Sequence, residues 1–202
     1  MSNSPTVHVI DDDVAMRHSL AFILEVNGFE VVAHETADAF LAAPAAAEGS
    51  CIVTDIRMPG TSGLELVRHL NARDGRYAVI VMTGHGDVPL AVEAMKSGAL
   101  DFIEKPFSDD ILLHAVRAAL ERRPAQAGGD DARREAETRM AGLTPRERDV
   151  LLGVAAGKSN KVIALELDIS PRTVEVYRAN LMTKTGARSI ADLMRLAMAV
   201  GL

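Results

Sequence analysis

The 202-residue sequence has no tryptophan, two tyrosines, five phenylalanines and a single cysteine. With so few aromatics, a packed core must be built from Leu, Val, Ile, Met and Ala. Cys51 has no partner for an intrachain disulfide, so nothing points to an oxidising compartment, and a reducing cytoplasm is expected. No apolar run approaches the roughly 18 residues of a membrane span. The start MSNSPTVHV lacks the basic head and apolar centre of a secretory signal. The expectation is an unexported chain with no membrane partner. Internal repeats and low-complexity tracts are also missing. What remains is globular in composition, 48% apolar and 25% charged, too apolar for an intrinsically disordered chain.

The net charge of −6 averages two unlike ends. Residues 143–202 hold nine Lys or Arg against six acids, a surplus of +3 that leaves −9 on the remainder. Only the C-terminal part is suited to a polyanion. The N-terminal part alternates short β-branched or apolar runs (TVHVI, EVVA, CIVT, AVIVM, DFI) with amphipathic stretches at 14–27, 37–46, 62–74, 88–97 and 108–122. Five strands separated by helices imply a five-stranded parallel sheet covered on both faces, the doubly wound, flavodoxin-like α/β arrangement. This domain is placed at 1–123. A Pro, Gly and Ala-rich stretch passing into dense charge marks a linker at 124–142, either a helix capped by Asp130 or Asp131 or a flexible tether. From 143 to 202 no strand pattern occurs. Helices are expected at 144–156, 160–167, 171–184 and 189–200, a smaller all-α domain. Thr144, Pro145 and Glu147 form a capping-box start for the first of them.

In such a sheet the carboxyl ends of the strands share one edge, and ligands bind there. The first strand ends in Asp11, Asp12 and Asp13, the third in Asp55 and the fourth in Thr83, while the fifth leads to Lys105. Crowded carboxylates repel, and a hard cation such as Mg²⁺ is the expected remedy. An Asp oxygen could then attack a phosphoryl group while Mg²⁺ and Lys105 neutralise its equatorial oxygens and the Thr83 hydroxyl donates to one of them. Asp13 reads better as a helix-start residue.

The fragments VIDDD, TDIRMPG, MTGHGD and EKPF resemble the receiver domains of two-component response regulators over about Thr6 to Arg123. The resemblance implies that Asp55 is the phosphoacceptor and that Asp11 and Asp12 are the family's acidic pair. Asp12, Asp55 and the Arg57 carbonyl would be metal ligands. It further implies that Thr83 and Phe102 act as a switch and that the Lys105–Pro106 peptide is cis. Arg57 and His85 stand where the family tunes phosphoryl lifetime, or are plain loop side chains. Val88, Val92, Met95 and Lys96 are the expected dimerisation face of the phosphorylated form.

A three-residue break at Asp168, Ile169 and Ser170 separates two C-terminal helices, the spacing of a helix-turn-helix. Val174, Tyr177, Leu181 and the Arg178 stem fall on one side, expected to be core. Arg172, Glu175, Val176, Ala179 and Asn180 fall on the other, able to meet base edges. Ser159, Asn160, Lys161, Thr173 and Lys184 are candidate phosphate contacts. LTPRERDVL and GKSNKVIALELDISPRTVEVYRANLMTKTGARS look like a LuxR/NarL-type output domain. That resemblance implies a last helix that dimerises on DNA through Ala191, Met194 and Met198, positions equally suited to core.

The expected function is a transcription factor that takes a phosphoryl group from a sensor histidine kinase, dimerises, binds promoter DNA and activates transcription, with RNA polymerase as an expected partner. Beyond phosphoryl transfer onto Asp55 and hydrolysis from it, no enzymatic activity is expected. Two other readings stand beside it: a phosphotransfer or protein-binding module whose helical domain docks a protein, and a hydrolase using Asp55 on a free substrate. The hydrolase is the weaker, since no second substrate-binding element is evident.

Overall fold

The computed structural model describes residues 6–43, 50–73, 77–84, 88–121 and 130–202. The five β-branched runs form β1 (Thr6–Ile10), β2 (Glu30–His34), β3 (Cys51–Asp55), β4 (Ala78–Thr83) and β5 (Asp101–Glu104). They pair in parallel in the order β2-β1-β3-β4-β5. Position in the sheet explains composition: β3 is buried at every residue, whereas edge strand β2 has no fully buried one. The helices are α1 (Val14–Val26), α2 (Ala37–Ala42), α3 (Gly63–Arg73), α4 (Val88–Lys96) and α5 (Asp109–Glu121).

Local chemistry sets the ends of α1. The Asp13 carboxylate accepts from the amides of Ala15 and Met16, the helix-start role read from sequence. Asn27 closes the helix, and Gly28 follows at φ 87°, a left-handed turn that favours glycine. An aliphatic cluster joins Val7 and Val9 to Leu20 and Leu24 of α1, Cys51 and Val53, Ile80 and Met82, and Leu112 and Val116 of α5. Cys51 is fully buried there, and burial pushes its thiol up to about 12. Elsewhere on the sheet, His8 Nδ1 lies 3.1 Å from His34 Nε2, and Phe40 of α2 meets both rings edge-on. Burial, then the neighbouring His34 ring, pulls the His8 imidazole below its usual pKa; burial does the same to His34.

The chain divides into two compact units, Met1–His85 with Lys96–Ala125, and Gly86–Met95 with Gln126–Leu202. The second contains α6 (Asp130–Met140), α7 (Pro145–Ala155), α8 (Asn160–Leu167), α9 (Pro171–Thr185) and α10 (Ile190–Ala199). Its core is again aliphatic, built on Val150, Leu151, Val154, Ile163, Val174, Leu181, Leu193 and Met194. The segment expected to link the domains is thus helical over 130–140, and Ala136 and Met140 of that helix enter this core. The α7 capping box is complete, with Thr144 and Glu147 bonded reciprocally.

Two expectations are narrowed by burial. Of the dimerisation face, Val92 is buried in the second unit's aliphatic cluster and Met95 is buried as well, three positions along the same helix; only Lys96 is exposed, and the side chain of Val88 lies outside the described set. Ala191 and Met194 are fully buried in the core, so of the α10 trio only Met198 presents surface. Among the described residues no helix is long and apolar enough to cross a membrane.

Candidate functional site

The parallel order puts the carboxyl ends of β1 and β3 side by side, with Ile10 opposite Thr54 in register. The residues that follow, Asp11 and Asp55, therefore emerge together. Lys105, one residue beyond β5, reaches across: its Nζ lies 2.5 Å from Asp55 Oδ1 and 3.0 Å from Asp11 Oδ2. Its backbone N–H donates to the Thr83 carbonyl at 2.7 Å, and its peptide bond to Pro106 is cis, as the resemblance implied. Burial acts to lower the ammonium pKa, while hydrogen bonds to Asp55 and Asp11 raise it; the bonds prevail and Lys105 stays charged. One cation thus holds two nearly buried carboxylates in place.

The loops around this triad are fixed by groups that sequence reasoning missed. Arg17 of α1 donates from Nη1 to the carbonyls of Asp11 and Asp12 at 2.7 and 3.0 Å. Asp11 Oδ1 accepts from the Asp13 amide at 2.9 Å. Asp55 Oδ2 accepts from the Arg57 amide, also at 2.9 Å. Gly63 opens α3 directly against Asp55: a Cβ there would lie 2.2 Å from the Asp55 carbonyl oxygen. Thr61 of the same loop donates its hydroxyl to Asp38 of α2 at 2.6 Å. The spacing between the acidic run and Arg17, and the glycine after MPGTS, were visible signals.

The remaining predicted pocket residues divide. Thr83 is buried at the end of β4, with its hydroxyl donating to the Gly84 carbonyl at 3.3 Å, and Phe102 is buried on neighbouring β5. Asp12 is exposed. Among the described residues no group of three or more His, Cys, Asp or Glu side chains is disposed to hold a metal; Asp11 and Asp55 converge on Lys105 instead. Oxygen donors of this kind suit a hard cation such as Mg²⁺, which receiver domains generally use. His85 lies outside the described residues.

In the second unit α9 follows a tight turn in which Asp168 takes the left-handed conformation at φ 54° and Ser170 caps the next helix. Val174 and Leu181 are fully buried, and Tyr177 and Arg178 half-buried, as their spacing predicted. Arg172, Glu175, Val176, Ala179 and Asn180 are exposed. Among the expected phosphate contacts, Ser159 caps α8 and Lys161 is exposed, whereas the Asn160 side-chain Oδ1 accepts from Arg178 Nη1 at 2.8 Å. Thr173 is half-buried and shares a hydrogen bond with Ser170. Lys184 is exposed along its side chain, and its Nζ is 2.8 Å from Oε2 of Glu147, a residue 2% exposed. The bond from Lys184 and those from Thr144 hold the Glu147 carboxyl below its usual pKa, so Lys184 is engaged in neutralising a buried charge.

Comparison with known proteins agrees with both halves. Residues 7–117 match the family described as the response regulator receiver domain, and residues 141–197 match that of bacterial regulatory proteins, luxR family. The transcriptional regulatory protein FixJ of Azorhizobium caulinodans is 59% identical over 201 residues, covering 100% of this chain and 95% of that relative. FixJ of Bradyrhizobium diazoefficiens is 50% identical and covers 100% and 98%. The crystal structure of full-length FixJ from B. japonicum, 50% identical, covers 98% of this chain and 97% of that one with a TM-score of 0.56. The chain therefore belongs to the response regulators, a receiver domain joined to a luxR-family DNA-binding domain and similar to FixJ along its whole length.

Proposed function

We propose that Asp55 is the phosphoacceptor for a sensor histidine kinase and that phosphorylation enables the luxR-family domain to bind promoter DNA and activate transcription. The observation that carries this reading is Lys105 Nζ held between Asp55 and Asp11. As an Asp55 oxygen bonds to phosphorus, the phosphorus–nitrogen bond of the donor phosphohistidine breaks. Lys105 offsets negative charge on the transferring oxygens, and a rotation of the Thr83 hydroxyl away from Gly84 lets it donate to one of them. Asp11, Asp12, Asp55 and the Arg57 carbonyl are the groups that would hold Mg²⁺, which when bound supplies further neutralisation of the phosphoryl oxygens. Movement of Thr83 lets Phe102, already buried on β5, repack beside it. Hydrolysis at Asp55 resets the chain.

The added charge of about −1.5 to −2 is the signal. In the second domain, Arg172, Glu175, Val176, Ala179 and Asn180 face base edges, while Asn160, Lys161 and Thr173 lie near phosphates. Homodimerisation of the phosphorylated form and contact with RNA polymerase belong to the same reading. The test uses acetyl phosphate and Mg²⁺. Wild type should form an acid-stable, hydroxylamine-sensitive phosphoprotein that shifts promoter DNA more strongly than the unmodified form; Asp55→Ala should do neither. Labelling that survives Asp55→Ala would refute the acceptor, and a helical domain that retains no duplex at low salt would favour protein docking.

A further inference from the structure

The C-terminal end of α9, the helix proposed to read DNA, is gripped from α6. The Arg139 Nε donates to the carbonyl oxygen of Thr185, the last residue of α9, at 2.7 Å. Its Nη2 lies 3.5 Å from Asp192 Oδ2 of α10, and its Nη1 lies 3.7 Å from Glu135 one turn earlier on α6. A helix C-terminus has unsatisfied carbonyls and partial negative charge, and a guanidinium answers both with a charge-assisted bond. The arrangement is built, not incidental. The Thr185 hydroxyl is buried and bonds back to the Leu181 carbonyl, and Gly186 then turns left-handed at φ 64°. Asp192 accepts from the Arg188 amide through the same Oδ2 that faces the guanidinium, so α10 holds the arginine from its far side. Ala136 and Met140 anchor α6 in the core, and Arg148 of α7 donates to the Met140 carbonyl at 3.1 Å.

We propose that Arg139 is a positioning residue for DNA reading, and that α6 is a structural part of the DNA-binding domain that sets the axis of α9. Arg139 touches no base or phosphate in this role. Exposed Arg172, Glu175, Val176, Ala179 and Asn180 depend for their aim on the direction of α9, and a helix released at its C-terminal end misdirects all of them together. The guanidinium acts on affinity for the right sequence and leaves the number of neutralised phosphates unchanged. The inference rests on the proposed DNA binding.

The test uses the full chain, treated with acetyl phosphate and Mg²⁺, and two probes: a duplex selected by the wild-type protein from a randomised pool, and the same duplex scrambled. Dissociation constants are measured over a salt series. Arg139→Ala should lower the ratio of selected to scrambled binding about five- to tenfold, with the slope of log affinity against log salt unchanged. Asp192→Asn, which weakens the far side of the grip, should lower the ratio by about two- to fivefold. It carries the test alone if Arg139→Ala fails to fold. An unchanged ratio in the variants that fold overturns the positioning role, and so does a slope reduced by about one, which marks a direct phosphate contact. If the wild type enriches no duplex, the DNA-binding reading fails, and this inference falls with it.

Discussion

At the residue scale the receiver site is a problem of charge placement. Lys105 bridges the two carboxylates, and Lys105→Met would remove the cation held between Asp11 and Asp55. Phosphorylation by acetyl phosphate should slow roughly 10²-fold, measured as the initial rate of labelling, while Asp55→Ala removes it altogether. Because its folded pKa is raised, the pair's contribution to stability is present below the usual lysine value of 10.5 and fades only as pH climbs above it. The histidines behave in the opposite sense. His8 and His34 have folded pKa values below the ordinary 6.5, so they stay neutral in the fold while the unfolded chain takes up protons. Stability should be complete above about pH 6.5 and fall as acid is added. Thermal melts at about pH 7.5 and 5.5 check this, and His8→Phe, with one fewer titrating ring, should show a smaller drop. The triad was legible in sequence because strand ends in a parallel sheet share an edge. The Glu147–Lys184 pair was not, since 37 positions separate its members and no local pattern connects them.

At the element scale, strand and helix types followed from periodicity, because β-branched runs and amphipathic stretches report on local burial. The limits of those elements depended on caps, such as Asp13, Thr144 and Ser170, that could be read as residue types. What could not be read was where an element is approached by another. Gly63 is such a place: its neighbour is the Asp55 carbonyl, and Gly63→Ala must push α3 away from β3. A loss of about 1–3 kcal/mol is expected, with slower labelling of Asp55, both followed on one purified variant. The turn before α9 should respond the other way. Asp168 is the sole non-glycine residue with positive φ among the described residues. Asp168→Gly should relieve about 1 kcal/mol of backbone cost, seen as a higher melting temperature of the second unit. Val92 shows the same limit in reverse, since the resemblance implied a dimerisation face and could not say what covers it in this chain.

At the scale of the whole molecule, composition foretold two parts of unlike charge, and two compact units are present, each with its own aliphatic core. Within the stretch at 124–142, dense charge hid two core residues, Ala136 and Met140. Separate cores predict separate transitions: in a urea titration, Asp168→Gly should shift the one belonging to the helical unit and leave the other in place. Circular dichroism, dominated by helix, would follow both at once. Cys51 separates them. It is the chain's one thiol, fully buried in the receiver core with its pKa held at about 12. An alkylating reagent can reach it only through opening of that core, so the mass gained per molecule in a timed pulse counts receiver openings alone. The cysteine with no intrachain disulfide partner is a built-in clock for one half of the protein, free of any signal from the other.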